Sequence, residues 1–246
     1  MRNSFTTEQI NNQPKPLHPI FTAVSSRYDL VNRIITLGLD NRWRRLAAAA
    51  CMKRKPGRML DLGCGTGDLA ISMASLAAVN VEITGVDFST PMLKLAKQKA
   101  VNAGVEKVVS FVHGEADSLP FPDGYFDCVG ISFAFRNLTY NNRLKNPHLS
   151  EVLRVLKPGG LYVIVESSQP SNRFFRVLFR LYLRSFVAPV GMWLSGNSGA
   201  YRYLVKSALN FYFPEQVKEM LLATGFTAVD YQPLLFGAAG IHIATK

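Results

Sequence analysis

Met59-Leu60-Asp61-Leu62-Gly63-Cys64-Gly65-Thr66-Gly67-Asp68 is the stretch that decides the fold. Its first half is a short apolar run with one acidic residue, the pattern of a buried strand. Its second half is a turn with glycine at every other position, running into the apolar helix predicted over Leu69 to Ala77. Such a turn lets a ligand approach the backbone closely. A dinucleotide fingerprint starting at Gly63 requires Gly or Ala at position 68, and Asp68 stands there instead. A carboxylate at the mouth of a helix is a poor neighbour for a pyrophosphate. It suits a cationic or zwitterionic cofactor, and S-adenosylmethionine has a sulfonium, an amino group and a carboxylate but no phosphate. An ordinary strand–turn–helix corner is the alternative.

The flanking sequence extends the pattern. Val81 to Ser89 alternates as a second strand and carries Asp87 near its end, where a carboxylate can accept hydrogen bonds from both ribose hydroxyls. Pro91 opens a helix over Met92 to Ala100. A third strand, Val108 to Val112, leads to Glu115 and the Ala116 amide, which are placed to read an adenine. Singly, each acidic residue reads as a solvated strand end; their order and spacing point to one cofactor site. Phe126 to Phe135 reads as a fourth strand, Pro147 to Leu156 as a helix and Leu161 to Ser168 as a fifth strand, with a helix stop and turn at Lys157-Pro158-Gly159-Gly160. Pro214 starts a helix over Glu215 to Ala223, and strands follow near Ala228 to Tyr231 and Ala238 to Ala244. The β/α order predicts a mainly parallel sheet covered on both faces, with ligands outside the carboxyl ends of its strands.

The 246 residues suffice for one large core, and with 48% of them apolar the chain is globular. Residues 1–20 are polar and proline-rich and read as a flexible arm; residues 21–246 read as one domain with a helical lid inserted at about 169–213. Cys51, Cys64 and Cys128 form no metal-like spacing, so no metal is expected, and they fit a reducing compartment. No stretch of sequence looks long enough to span a membrane. The net charge of +11 is concentrated. Ser167 to Pro214 has no acidic residue, and Arg173, Arg176, Arg180 and Arg184 fall on one helical face among aromatic and aliphatic neighbours. That pattern predicts surface attachment to a membrane through 173–186, with a plain lid helix as the alternative.

Beyond the glycine turn, three stretches carry a narrower likeness. They are Tyr28-Asp29-Leu30-Val31-Asn32 with Thr36 to Arg44, Ser132-Phe133-Ala134-Phe135-Arg136-Asn137, and Arg154 to Gly160 running on through Val165-Glu166-Ser167-Ser168. Tyr201-Arg202-Tyr203-Leu204 and Ser207 add to it. Together they resemble the ubiquinone/menaquinone biosynthesis C-methyltransferases, a branch of the class I S-adenosylmethionine-dependent methyltransferases. The likeness runs from about Phe21 to the C-terminus. It implies a Rossmann-like seven-stranded, mostly parallel sheet, S-adenosylmethionine as cofactor, and methylation of a ring carbon of a polyprenylated quinol, benzoquinol or naphthoquinol. It also implies a cytoplasmic chain, peripheral at the inner face of the membrane; a homodimer is left open. The matched cofactor positions are Thr66, Asp87, Glu115 with Ala116, and Ser132, with Asp61, Gly63 and Gly65 shaping the turn. For chemistry the likeness offers Arg136, Asn137 and Tyr28. Arg136 is too weak an acid to serve as a direct base, so it either stabilises a phenolate, positions a water, or braces the site by pairing with Glu166 or Asp29. Tyr28 is a quinol contact or a packing aromatic, and His242 is a matched position or a structural histidine. Ala134, Glu115 and Lys206 depart from the family's usual residues, and Asn142 to Pro147 is irregular where the family has a cleaner helix.

Two other classes compete with this reading. A methyltransferase for another lipid or small molecule would share the cofactor half. An RNA-binding or RNA-modifying protein would suit the basic charge, but here the positive residues are interleaved with a continuous apolar surface, and no nucleic acid is expected. The fourth strand does not end in Asn-Pro-Pro-Tyr, which argues against amino methylation of adenine.

Overall fold

The computed structural model describes residues 28–77, 80–195 and 198–246; the arm expected over residues 1–20 lies outside them. Seven strands form one sheet in the order β3-β2-β1-β4-β5-β7-β6. They are β1 (Arg58–Leu62), β2 (Glu82–Asp87), β3 (Val109–His113), β4 (Phe126–Ser132), β5 (Leu156–Ser167), β6 (Ala228–Leu234) and β7 (Ala239–Thr245). The first five run parallel, and β7 lies antiparallel between β5 and β6. Parallel neighbours need crossovers, here mainly α3 (Asp68–Leu76), α4 (Thr90–Asn102) and α6 (Lys145–Val155). The chain winds outward from β1 to β3, then returns to lay β4 against the other side of β1. That reversal opens a crevice beyond the carboxyl ends of β1 and β4.

Strand alternation sorts the core into two layers. Leu60, Leu62, Val129, Ile131, Tyr162 and Ile164 face one side, against α6 and α10 (Pro214–Thr224). Met59, Cys128, Val163 and Val165 face the other, against α3 and α2 (Leu39–Cys51). A third, smaller cluster joins Val31 and Ile35 of α1 (Tyr28–Ile35) to Leu183, Val187, Val205 and Ala208. It is a helical cap over the crevice. Its other members are α7 (Arg173–Tyr182), a π-helical turn at Leu183–Val187, α8 (Ala188–Ser195) and α9 (Ser198–Leu209).

Three elements differ from the sequence pattern. The fourth strand ends at Ser132, not Phe135, because Phe133 takes a left-handed φ of 56° and breaks the extended run. Arg136 therefore sits in the first turn of a short helix, α5 (Phe135–Thr139). The Lys157-Pro158-Gly159-Gly160 turn is absorbed into β5 as an irregularity, where pairing with β4 slips between Phe126 and Cys128. Finally, α7 does not stop at Phe186. The π turn carries it on into α8, giving a helix over Arg173–Leu194 that is long and apolar enough to cross a membrane by length and composition. Pro189 lies just after that π turn, where the wider hydrogen-bond pattern interrupts the regular i→i−4 ladder that a proline cannot complete.

The glycine turn is set by two distinct constraints. Gly65 has φ 53° and open space where a side chain would stand. Gly67 has φ 83°, and an added Cβ would lie 2.9 Å from Phe111 Cζ and 3.1 Å from Ala96 Cβ. The same edge of the Phe111 ring also packs over Gly85, so the ring is wedged against both glycine backbones. Both Gly65→Ala and Gly67→Ala bear the left-handed backbone penalty of ~1–2 kcal/mol. Gly67→Ala adds overpacking, so it should lose ~1–3 kcal/mol more than Gly65→Ala in urea denaturation. Equal losses would show that Phe111 yields without strain.

Candidate active site

The site is assembled where β1, β2 and β4 end. Asp61, on β1, is buried; its Oδ2 accepts the Ala70 amide of α3 at 2.9 Å. Its Oδ1 is buried with no partner among the described residues. Burial pushes the Asp61 carboxyl up to about 8, against the opposing pull of the Ala70 amide and the Arg44 charge. Asp87 closes β2. Its Oδ2 accepts the Gly65 amide and its Oδ1 the Ser89 amide, each at 2.8 Å, and burial raises its pKa. The carboxylate thus holds the glycine turn to the neighbouring strand end while keeping spare lone pairs. Glu115 and Ala116 follow β3, with Glu115 bridged to Ser118 and Ala116 packed on the core.

A partly buried charge cluster ties this turn to the N-terminal helices, with Asp40 and Arg44 buried and Asp29, Asp68 and Lys99 half-buried, and the sequence pattern did not reveal it. Lys99 of α4 pairs with Asp68 and, at 2.9 Å, with Asp29 of α1. Thr66 donates to Asp29 at 2.7 Å and accepts from Lys99 at 3.1 Å. Arg44 of α2 donates to Asp40 at 2.5 Å and to Ser132 Oγ at 3.1 Å, and it lies 3.7 Å from Asp68. Its guanidinium also sits over the Phe133 ring, 5.3 Å from the centroid. Asp68 was expected to face a cationic cofactor. Its charge is instead met by two protein cations, and Asp61 is the carboxylate with an unmet oxygen. Thr66 and Ser132 stand beside the turn as expected, but both hydroxyls are engaged in this cluster.

Beyond the turn lies a cavity of about 400 Å³ between the sheet ends and the helical cap. Its walls are chiefly apolar, including Ile35, Trp43, Phe133, Phe179 and Leu183. Arg136 and Asn137 line it. Arg136 is buried; its Nη1 donates to Glu166 at 3.1 Å and to Ser167 Oγ at 2.5 Å, and its backbone amide donates to Glu166 at 3.0 Å. Glu166 is therefore the partner, while Asp29, the other candidate, belongs to Lys99 and Thr66. Arg136 Nε is buried without a partner among the described residues. Asn137 Oδ1 is 3.5 Å from the Tyr203 hydroxyl, whose pKa burial raises. Tyr28 opens α1, but its side chain lies outside the described residues. His242 faces Pro214 O at 3.4 Å and packs on Tyr231, and burial lowers its pKa to about 4. It is a neutral core histidine away from the cavity. The three cysteines are buried, and the Cys51 thiol is pushed up, first by its hydrogen bond with Cys128 and then by burial.

A model of the ubiE/COQ5 methyltransferase family matches residues 8–246. The chain belongs to that family. It is 43% identical over 227 residues to a demethylmenaquinone methyltransferase of Thermus thermophilus, covering 92% of this chain and 100% of that one. It is 35% identical to the ubiquinone/menaquinone biosynthesis C-methyltransferase UbiE of Geobacter sulfurreducens, over 98% of this chain and 92% of that one. Its fold resembles that of a SAM-dependent methyltransferase from Aquifex aeolicus, with a TM-score of 0.56 at 18% identity, over 80% of this chain and 88% of that one. This family member is a methyltransferase with S-adenosylmethionine as cofactor. The residues present fit that cofactor. The unmet Asp61 oxygen suits its ammonium, the open space at Gly65 admits a ligand against the backbone, and Asp87 with Glu115 would hold ribose and base.

With its pKa near 8, Asp61 is largely protonated in the ligand-free protein at pH 7. An ammonium facing it favours the ionised form and lowers that pKa. Cofactor binding at pH 7 should therefore release about one proton, read by calorimetry in buffers of different ionisation enthalpy. Asp61→Asn should release none and bind at least ~10-fold more weakly, a loss of ~1.4 kcal/mol. Binding by the unaltered chain with no proton release would remove Asp61 from this role.

Proposed function

We propose that this chain methylates a ring carbon of a polyprenylated quinol held in the apolar cavity, at the cytoplasmic face of a membrane. The cavity itself carries the reading: an apolar chamber interrupted by buried cationic side chains suits a hydrophobic aromatic that develops negative charge on oxygen. Bound S-adenosylmethionine supplies an electrophilic methyl group. The chain's part is to align the ring, keep water out and stabilise the phenolate that makes the ring carbon nucleophilic. Arg136 stays charged throughout, so it acts as an electrostatic partner of the phenolate and not as a base. Glu166 and Ser167 fix its guanidinium. The bracing and the phenolate-binding roles are thus two aspects of one placement. The relatives' printed names, demethylmenaquinone methyltransferase and ubiquinone/menaquinone biosynthesis C-methyltransferase, favour this substrate class.

The helical cap supports the membrane part of the reading. Helix α7 presents three strips. Phe175, Phe179 and Tyr182 face the cavity. Arg173, Arg176, Arg180 and Arg184 form a second strip, reaching into the π turn. Phe174, Val177 and Leu181 form the third, and each is more than half exposed. At the cavity mouth Leu37 and Phe236, from two other segments, are each 68% exposed. A helix packed on protein along one side, with arginines along another, lies in an interface more readily than across a bilayer. Arginines near an anionic surface contribute about 1 kcal/mol each, and the exposed apolar strip supplies burial. A prenyl tail can then pass from the bilayer to the ring site between α7 and the mouth residues.

Labelled methyl transfer tests both parts. The unaltered chain should methylate a demethylated quinol, long-chain in anionic vesicles or short-chain in solution. Replacing the exposed Arg173, Arg180 and Arg184 by Gln should lower the vesicle rate at least ~10-fold, as expected from three lost contributions of about 1 kcal/mol each. The rate on the short-chain quinol should stay within about twofold. Loss of both rates, or of neither, would reduce α7 to an ordinary lid. No transfer to any quinol would refute the substrate assignment.

A further inference from the structure

We propose that Glu151 and Arg154, on the last two turns of α6, are positioning residues for the cofactor's base: they clamp the loop that carries Glu115 and Ala116, and so set the preference for adenine. The inference is independent of the quinol reading and rests on the placement of the base at Glu115 and Ala116.

Residues 114–125, between β3 and β4, form no helix and no strand apart from the single Glu115–Ser118 bridge. Within the loop the Ser118 amide donates to Glu115 O at 3.2 Å and the Phe121 amide to Leu119 O at 2.8 Å. Local bonds of this kind close turns but do not orient a loop, and the rest of an irregular backbone must find its partners elsewhere. Here they come from α6. Glu151 Oε2 accepts the Leu119 amide at 2.8 Å, and Arg154 Nη2 donates to the Leu119 carbonyl at 3.1 Å. Arg154 Nη1 donates to Phe121 O and to Asp123 Oδ1, each at 2.8 Å. The remaining donors go to Glu151, from Nε to Oε1 and from Nη2 to Oε2, again at 2.8 Å. All five N–H groups of the guanidinium are thereby used, so its planar fork is held in one orientation. The end of α6 completes the clamp with its own orphan carbonyls: Arg154 O accepts the Gly124 amide at 2.9 Å and Val155 O the Tyr125 amide at 2.8 Å.

The path from the clamp to the base is short. Leu119 is buried in the same core layer as Val86, with Ala116 packed on that layer, and its neighbour Ser118 bridges Glu115. Pro120 lies against the start of the loop, since a Cβ at Gly114 would stand 3.6 Å from Pro120 Cδ. The loop therefore folds back on itself, and Leu119, held by both its N–H and its C=O, fixes where Glu115 and Ala116 stand. Arg154 and Glu151 are half-buried, and ion pairs in such surroundings contribute little to global stability. Their effect is on the geometry of the loop. Adenine presents a donor at its amino group and an acceptor at the adjoining ring nitrogen; hypoxanthine reverses both. Only a carboxylate and an amide held at fixed spacing tell the two apart, because the wrong base then leaves both partners unpaired.

The test is calorimetry on the full chain with S-adenosylhomocysteine and S-inosylhomocysteine, neither of which carries a methyl group to transfer. The intact chain should prefer the adenine ligand at least ~10-fold. Arg154→Lys keeps the charge and loses the fork. It should cut that preference below ~3-fold, chiefly by weakening S-adenosylhomocysteine. Amide exchange over 114–125 should quicken at least ~10-fold while β4 and β5 keep their protection. A lower unfolding midpoint with the base preference unchanged would make the pair a plain structural brace and overturn the inference. Where Arg154→Lys does not fold, Glu151→Gln decides: it keeps the shape and one acceptor, and should reduce the preference at least ~3-fold. An unchanged preference there is equally fatal. If the intact chain binds both bases alike, the placement of the base at Glu115 and Ala116 fails and takes this inference with it, while the assignment of the cofactor stands.

Discussion

The charge cluster between the N-terminal helices and the glycine turn is the constraint on which the site depends. Asp29, Asp40 and Asp68 share Arg44 and Lys99 across four separate segments. Charges like these do little for net stability, because desolvation offsets the attraction of the buried Asp40–Arg44 pair and solvent screens the half-buried ones. Their effect is positional: removing one member leaves its partner uncompensated, so the helices have one favourable seat. That seat puts α1 and α2 over the carboxyl ends of β1 and β4, the crevice made by the reversal of strand order. The same seat gives the cavity one of its walls. Cofactor turn and substrate chamber are therefore fixed by one set of side chains, with Arg44 touching both through Ser132 and the cavity lining.

Chemically, the two halves of the site differ. Around the turn, backbone amides and carboxylates dominate, as a zwitterionic ligand requires. Around the cavity, aromatic and aliphatic walls enclose a few buried charges. Methyl transfer from a sulfonium to a carbon nucleophile disperses charge, so a dry chamber with fixed counter-charges assists it more than an aqueous cleft would.

Much of this was legible in the sequence, for local reasons. Asp61 to Gly67 and Asp87 lie within short motifs whose spacing reflects strand ends and a tight turn, and the structure places them together. The parallel sheet followed from alternating periodicities. The cluster was not legible, because its members are distant in sequence: Asp29 offered itself only as a partner for Arg136, and Lys99 looks like an ordinary surface charge on a helix. For the same reason the position of Asp68 at a helix mouth was visible, but its protein cations, Lys99 and Arg44, were not. The end of the fourth strand was missed because Phe133 adopts a left-handed backbone that no residue-type rule assigns to phenylalanine. The length of the cap helix was missed because a π turn that carries one helix on into the next has no residue-type signature.

Amide hydrogen exchange on Lys99→Met tests the seating of the helices most directly. Methionine keeps the bulk of the lysine stem and removes its charge, leaving Asp29 and Asp68 without that cation. Protection across Tyr28–Ile35 should fall at least ~10-fold, an opening made easier by ~1.4 kcal/mol, while β1, β4 and β5 keep theirs. S-adenosylmethionine affinity should fall with it. Unchanged protection of that helix, with the sheet intact and the cofactor bound as before, would show that packing alone seats the N-terminal helices and that the cluster is incidental.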